Sequence, residues 1–349
     1  MPTLLLGVFV IAVAAVLALL SARLARVASN MADELDRPLL LPMASAAGLI
    51  AVAVLATGVE RTLLWNRAEA EEIIIQLGHH GLSPGPLSAR HDKPEAQGMG
   101  CLQSESSIEV ESCTYGSTSP RKTVFLVGGS HSLQWLPALE EIAKVESWEI
   151  EIMTKIRCPF ADPTDTKFFS VEGLSASCAA WNANVMEEIL AARPDLVVTI
   201  ATRKTSNPHN DDLGERIPEA YLANFAMLER ADIPVVAIRD TPWLAEDVPA
   251  CVFSVWNRNP DDCGLPRDQV LDDASVAIQA DRMDETVAWV DMTDTVCDAD
   301  HCGVVRDGKL IYRDSDHLTA SYARSLAPLL AERIATSLRL TRATESAWP

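Results

Sequence analysis

Thr123-Val-Phe-Leu-Val-Gly128-Gly129-Ser130-His131 is a short apolar run, rich in β-branched residues, that ends in two glycines and a serine. Leu133, Trp135, Leu136, Leu139 and Ile142 follow at helical spacing. A strand, a tight turn and a helix account for this pattern. In such a turn the serine stands at the carboxyl edge of a parallel sheet, where open α/β folds build their sites. A Gly-Gly-Ser alone is weak evidence, because most are ordinary turns. Far downstream, Asp314-Ser-Asp-His317 adds the groups that a serine nucleophile needs.

A serine hydroxyl is inert at neutral pH without a base within hydrogen-bond reach. Ser130 therefore reads as the nucleophile and His317 as its base. Asp314 accepts the other ring N–H and fixes the tautomer. Asp316, adjacent to His317, is expected to point away, and His131 to diverge from the site in a structural role. The competing reading is that Asp314 and Asp316 merely cap a helix starting at Thr319. The Ser130 backbone N–H is the first natural oxyanion donor, with Gly129 beside it.

Around this motif, strands and helices alternate. Strands are expected at Val124–Val127, Trp148–Ile156, Leu196–Ala201, Val235–Ile238 and Val287–Asp291. Helices are expected at Leu133–Val145, Ala179–Ala192 and Glu219–Glu229, with a last one from Thr319 that Pro328 should kink or split. Continuous Val/Ile-rich strands separated by helices call for a parallel sheet covered on both faces, a three-layer α/β/α sandwich. Trp135, Trp148, Trp181, Trp243, Trp256 and Trp289 should mostly be core, one or two being free to stack on sugars near strand ends.

The formal charge of −20 and pI near 4.7 argue against nucleic-acid binding, which needs clustered Lys and Arg. Leu4–Leu20 and Leu39–Val59 are apolar runs long enough to cross a bilayer of ~30 Å. Met1-Pro-Thr lacks the Lys or Arg of a secretory signal, so the first run reads as a retained span. Arg23, Arg26 and Arg37 between the runs, against Arg61 and Arg67 after them, favour a cytoplasmic loop only slightly. The cysteines say more. All eight (101, 113, 158, 178, 251, 263, 297 and 302) follow the second run, as an oxidising compartment would allow. Connectivity is not deducible from sequence, although nearest-neighbour pairing gives four short loops. No Cys-x-x-Cys is present, and Cys297, His301 and Cys302 lack a fourth ligand at zinc-finger spacing, so neither metal nor cofactor is expected. The expected organisation is a transmembrane hairpin at 1–66, a linker at 67–100 rich in Gly, Pro, Ser and charge, an α/β domain at 101–340 and a tail at 341–349.

As an ordered set, these motifs resemble the extracytoplasmic SGNH (GDSL-like) domain fused to bacterial acyltransferase-3 membrane proteins. That family carries Gly-Asp-Ser-His on the first strand and a late Asp-x-x-His-Leu-[ST]. Here the second motif is intact as Asp314-Ser-Asp-His317-Leu318-Thr319, while Gly129 stands where the family has Asp. Cys158-Pro159, Cys178-x-x-Trp181-Asn182 and Arg193-Pro-Asp-Leu-Val-Val198 are similar as well. The resemblance implies a flavodoxin-like SGNH-hydrolase fold. It also implies O-acyl, in particular O-acetyl, transfer to a cell-surface polysaccharide, at the cytoplasmic membrane with the C-terminal domain outside. With only two spans, the chain would need a separate multi-span acyltransferase or be a shortened family member. A free-standing surface carbohydrate esterase and a weakly active accessory subunit are the alternatives. Relatives complete the oxyanion hole with a glycine after the second strand and an asparagine after the third. Here Thr154–Cys158 has no glycine and Asn207 comes late, which leaves Arg203 and Asn182 as candidates for oxyanion or substrate contacts.

Overall fold

The Val- and Ile-rich runs become the spine of one sheet. Its strands are β1 (Leu102–Gln103), β2 (Cys113–Gly116), β3 (Lys122–Gly128), β4 (Trp148–Lys155), β5 (Leu196–Ile200), β6 (Val235–Ile238) and β7 (Val287–Val290). The order is β1-β4-β3-β5-β6-β7, with β2 also on β4. Every pairing is parallel except β2 with β4. The five long strands thus follow the flavodoxin-like order, with β3 first in the chain and central in the sheet. The computed structural model describes residues 82–204, 215–255, 259–283 and 287–345. Both expected membrane spans, Asn207 and Trp256 lie outside the described residues. Among the described residues, no helix is long and apolar enough to cross a membrane.

Alternation along the strands decides which layer each side chain joins. Val124, Leu126, Ile150, Ile152, Val198 and Val236 face one apolar layer, with Leu136, Leu139, Ile142, Tyr322, Leu330 and Ile334. Phe125, Val127, Met153, Val197 and Val235 face the other, with Trp181, Val185, Ile189, Tyr221 and Phe225. The first layer carries α2 (Leu136–Glu146), after the single turn α1 (Ser130–Leu133). The second carries α3 (Ala176–Ala192) and α4 (Glu219–Glu229). The C-terminal helix is split as expected into α5 (Ala320–Ser325) and α6 (Ala327–Glu345). Pro328 falls in the first turn of α6, where a missing N–H costs no helical bond.

Two boundaries need correction. Residues 82–100, expected to be linker, belong to the domain: Leu82, Ala89 and Ala96 are buried in the first apolar layer. Asp92 O accepts the Ala320 N–H at 2.9 Å, and Arg90 pairs with Asp247 at 2.6 Å. The helix expected from Leu133 breaks at Gln134-Trp135 and restarts ahead of Pro137.

The cysteines pair with their nearest neighbours: Cys101–Cys113, Cys158–Cys178, Cys251–Cys263 and Cys297–Cys302. Cys101, Cys158, Cys178, Cys297 and Cys302 are buried, and no cysteine is free. Alkylation of the folded chain without reductant should therefore leave every cysteine unlabelled in mass spectrometry. Labelling at two positions would contradict the pairing.

Candidate active site

β3 delivers its last residues to the carboxyl edge of the sheet, and Gly128 makes the turn. Its φ is +123°, and a Cβ there would lie 2.5 Å from Ser132 Oγ, so glycine is required on both counts. Gly129 is different. Its backbone is extended at φ −95°, and a Cβ would come no closer than 3.4 Å to the Cys158 carbonyl oxygen. A Cβ at Gly129 would meet its neighbours only at ordinary van der Waals distance, so the backbone does not require glycine there. Ser130 then opens α1.

The other half of the site comes from a turn after Tyr312. Arg313 N–H donates to His317 O at 3.0 Å, and Tyr312 bridges to Leu318. Gln134 Oε1 accepts the Leu318 N–H at 2.8 Å, tying this turn to the segment after Ser130. The capping alternative does not hold for Asp314 or Asp316: Thr319 caps α5, accepting the Tyr322 N–H at 3.2 Å. Asp314 Oδ1 instead takes the backbone N–H groups of Asp316 and His317, at 3.1 and 2.7 Å.

These elements bring Ser130, His317 and Asp314 together. His317 Nε2 lies 2.8 Å from Ser130 Oγ, and Nδ1 lies 3.0 and 3.1 Å from the two Asp314 carboxylate oxygens. A carboxylate can only accept, so Nδ1 carries the proton and Nε2 is left to accept from the serine. Asp316 departs from expectation. It turns inward, with Oδ1 2.8 Å from the same Nδ1. Burial works against a charged His317, but the carboxylates of Asp314 and Asp316 prevail and raise its pKa to about 9. Burial likewise pushes Asp314 up, yet its hydrogen bonds from His317 hold it well below the usual carboxylate range.

That shift has a definite sign. Only neutral His317 can take the Ser130 proton, so kcat/KM for ester hydrolysis should climb about tenfold per pH unit toward a midpoint near pH 9. The same raised pKa adds stability that is complete below the unfolded value of 6.5 and lost as pH rises through about 9. Asp316→Asn should lower the activity midpoint and leave the limiting rate largely intact. Asp314→Asn should lower the midpoint and also cut the limiting rate by about a hundredfold or more, because the tautomer is no longer fixed. Equal effects of the two changes on the limiting rate would show that the carboxylates share the orienting role.

His131 also contradicts expectation. Its ring lies 4.4 Å from that of His317 and stacks on Trp243 at 5.0 Å. Its Nδ1 is 2.9 Å from Asp240 Oδ1, and Trp243 Nε1 donates to Asp240 Oδ2 at 3.1 Å. Asp240 is not singled out by the sequence, and Trp243 is named only among six tryptophans of which one or two are free to stack on sugars. Both lie just past the carboxyl end of β6, two strands from β3, and the carboxyl ends of the parallel strands are the signal that points to them. Asn182 is not in the site. It is fully buried beside the Cys158–Cys178 bridge, where Oδ1 accepts the Ala161 N–H and Nδ2 donates to Pro159 O and Cys178 O, each at 3.0 Å. Arg203 does border the site, but Glu172 accepts from its Nε at 2.6 Å.

A cavity of about 670 Å³ opens over Ser130, with Gly129, His131, Thr202, Trp243 and His317 in its wall. That volume suits a small ligand or a sugar unit. His131, Asp316 and His317 also bring potential metal-ligating atoms within 4.8 Å of one another. A cation there would compete with the bonds those rings make to carboxylates and to Ser130.

A parallel α/β sheet with a serine at the end of its first long strand and an Asp-x-x-His turn facing it is the SGNH-hydrolase arrangement. The family described as "SGNH domain (fused to AT3 domains)" matches residues 100–332, and the chain belongs to that family. Among solved structures, the periplasmic domain of a lipopolysaccharide acetyltransferase from Salmonella ser. Paratyphi A is similar at 17% identity and a TM-score of 0.47, covering 69% of this chain and 88% of that one. No curated protein matches the chain.

Proposed function

We propose that this domain transfers an acyl group, in particular acetyl, to a hydroxyl of a cell-surface polysaccharide through Ser130. The observation that carries the reading is the hydrogen-bonded series Asp314–His317–Ser130 at the wall of an open cavity. Ser130 Oγ attacks the acyl carbonyl as its proton passes to His317 Nε2, and the leaving group departs with that proton. The Ser130 backbone N–H, which has no backbone acceptor among the described residues, faces the developing oxyanion. In the second half, His317 takes the proton of a sugar hydroxyl, whose oxygen attacks the acyl-serine and frees Ser130. Water in place of the sugar gives hydrolysis.

The disulfides support an extracytoplasmic setting. In this reading residues 1–66 anchor the chain in the cytoplasmic membrane, and a multi-span acyltransferase-3 protein supplies the acyl group. The test is hydrolysis of 4-nitrophenyl acetate by the full-length chain in detergent, with and without an added glycan acceptor. Ser130-dependent release, diverted to acylated glycan when acceptor is present, is the expected result. Release that does not depend on Ser130 would leave an accessory role in place of an enzyme.

A further inference from the structure

The charges lining the cavity do not balance, although the chain as a whole is strongly acidic. Its carboxylates are all engaged. Asp316 faces His317, and Asp240 is held by His131, Trp243 and the Thr241 N–H. Glu172, almost fully buried, accepts from both Arg203 and Arg216. Among the described residues, two cavity cations remain without a carboxylate partner, Arg157 and Lys204.

Lys204 is half-buried on a two-residue ribbon, Arg203–Lys204, paired with Glu215–Arg216. Its cross-strand neighbour Glu215 is committed elsewhere. Arg239 takes both Glu215 oxygens, at 2.9 and 2.7 Å, and the Asp272 N–H adds a third bond at 3.0 Å. Among the described residues, Lys204 Nζ has a single contact, the Trp243 carbonyl oxygen at 3.4 Å. An ammonium has three donors, so two meet no acceptor among the described residues. Burial works against its charged form, with Glu215 opposing. Arg157 is exposed, stands in left-handed backbone at φ +54°, and has no carboxylate within ion-pair distance among the described residues. Leaving a partly buried cation uncompensated is costly unless an anion arrives with the ligand.

We infer that the cavity accepts a sugar bearing an anionic group, carboxylate or phosphate, with Lys204 as its cationic contact and Arg157 as a second cation in the cavity wall. The inference rests on the polysaccharide reading above and narrows it: the acceptor unit is an acidic glycan residue, not a neutral one. Trp243, whose carbonyl holds Lys204, adds an aromatic wall of the kind sugars pack against. The reacting hydroxyl would then face Ser130 in the same cavity.

Titration calorimetry on the full-length chain in detergent reads this without turnover. The probes are methyl galacturonoside, galactose 6-phosphate and methyl galactoside. At least one anionic sugar should bind about tenfold tighter than the neutral one, the scale of one charge-assisted contact. The preference should shrink as salt is raised. The stronger of the two anionic sugars identifies the group. Lys204→Gln should abolish the preference, Lys204→Arg should retain it, and Arg157→Gln, at an exposed site, should weaken it. Equal binding of all three sugars, no detectable binding of either anionic sugar, or an undiminished preference in Lys204→Gln would overturn the proposal. So would inorganic phosphate binding as tightly as the sugar phosphate, since that marks a general anion site. If anionic sugars bind selectively while ester hydrolysis proves independent of Ser130, the binding site stands and the transferase reading alone falls.

Discussion

Ser130→Ala is expected to lower ester hydrolysis by the full-length chain about a thousandfold or more, to the rate of buffer plus detergent. In the proposed mechanism the Ser130 hydroxyl oxygen is the atom that forms the new bond, and no neighbouring group is offered to replace it. His317 would remain in place, still held by Asp314, so the change isolates the nucleophile from the frame around it. His317→Ala should cost nearly as much, and the double variant little more than either single one, because nucleophile and base act as a unit. Additive losses would mean that the two residues serve separate steps. The fold should be unaffected by Ser130→Ala, which removes only an oxygen from a partly exposed side chain. Equal melting temperatures, compared by circular dichroism, are the control.

The largest effect on stability is expected at Arg239. Its side chain is 3% exposed, and it reaches Glu215, Asp273 and Asp291 at 2.7, 2.7 and 3.1 Å. Arg239→Met would strand Glu215, itself 6% exposed, as a buried carboxylate whose remaining hydrogen bond among the described residues comes from a backbone N–H. Breaking a buried pair from one side costs about 3–5 kcal/mol. Glu215→Gln should cost less, because Arg239 keeps Asp273 and Asp291, which reach solvent. Urea unfolding followed by tryptophan fluorescence would measure both. Converting Arg239 to Met and Glu215 to Leu together should recover part of the loss, since no charge is then left unpaired. If Arg239→Met proves the milder change, the buried carboxylate is not the source of the cost.

The elements that the sequence specifies best are those decided by local pattern. Val235–Ile238 and Glu219–Glu229 agree to the residue, the strand lying directly after Pro234 and the helix directly after Pro218. The two edge strands escaped notice because they exist only by pairing with β4; a Leu-Gln pair and Cys-Thr-Tyr-Gly have no period to read. Residues 82–100 read as a linker on their Gly, Pro and Ser content, but buried Leu82, Ala89 and Ala96 recur seven apart. That Ser130, His317 and Asp314 come together is legible in the sequence, because few residue types can fill a nucleophile–base–orienter arrangement. Side-chain direction is not. Asp316 faces His317 because the turn from Asp314 folds back, with Thr241 Oγ1 donating to Asp316 O at 3.0 Å, a contact between segments remote in the chain. His131 was expected to turn away, yet Asp240 and Trp243 draw its ring inward.

The nearest-neighbour disulfides bear on how the domain matures. Their partners are 12, 20, 12 and 5 residues apart, and no ring encloses a cysteine of another pair. In the extracytoplasmic setting proposed above, a polypeptide emerging from its N-terminal side would bring each cysteine to its proper partner before any later one arrived. Vectorial oxidation would then yield the native set without reshuffling, and a simple thiol oxidase would suffice where interleaved bridges would call for an isomerase.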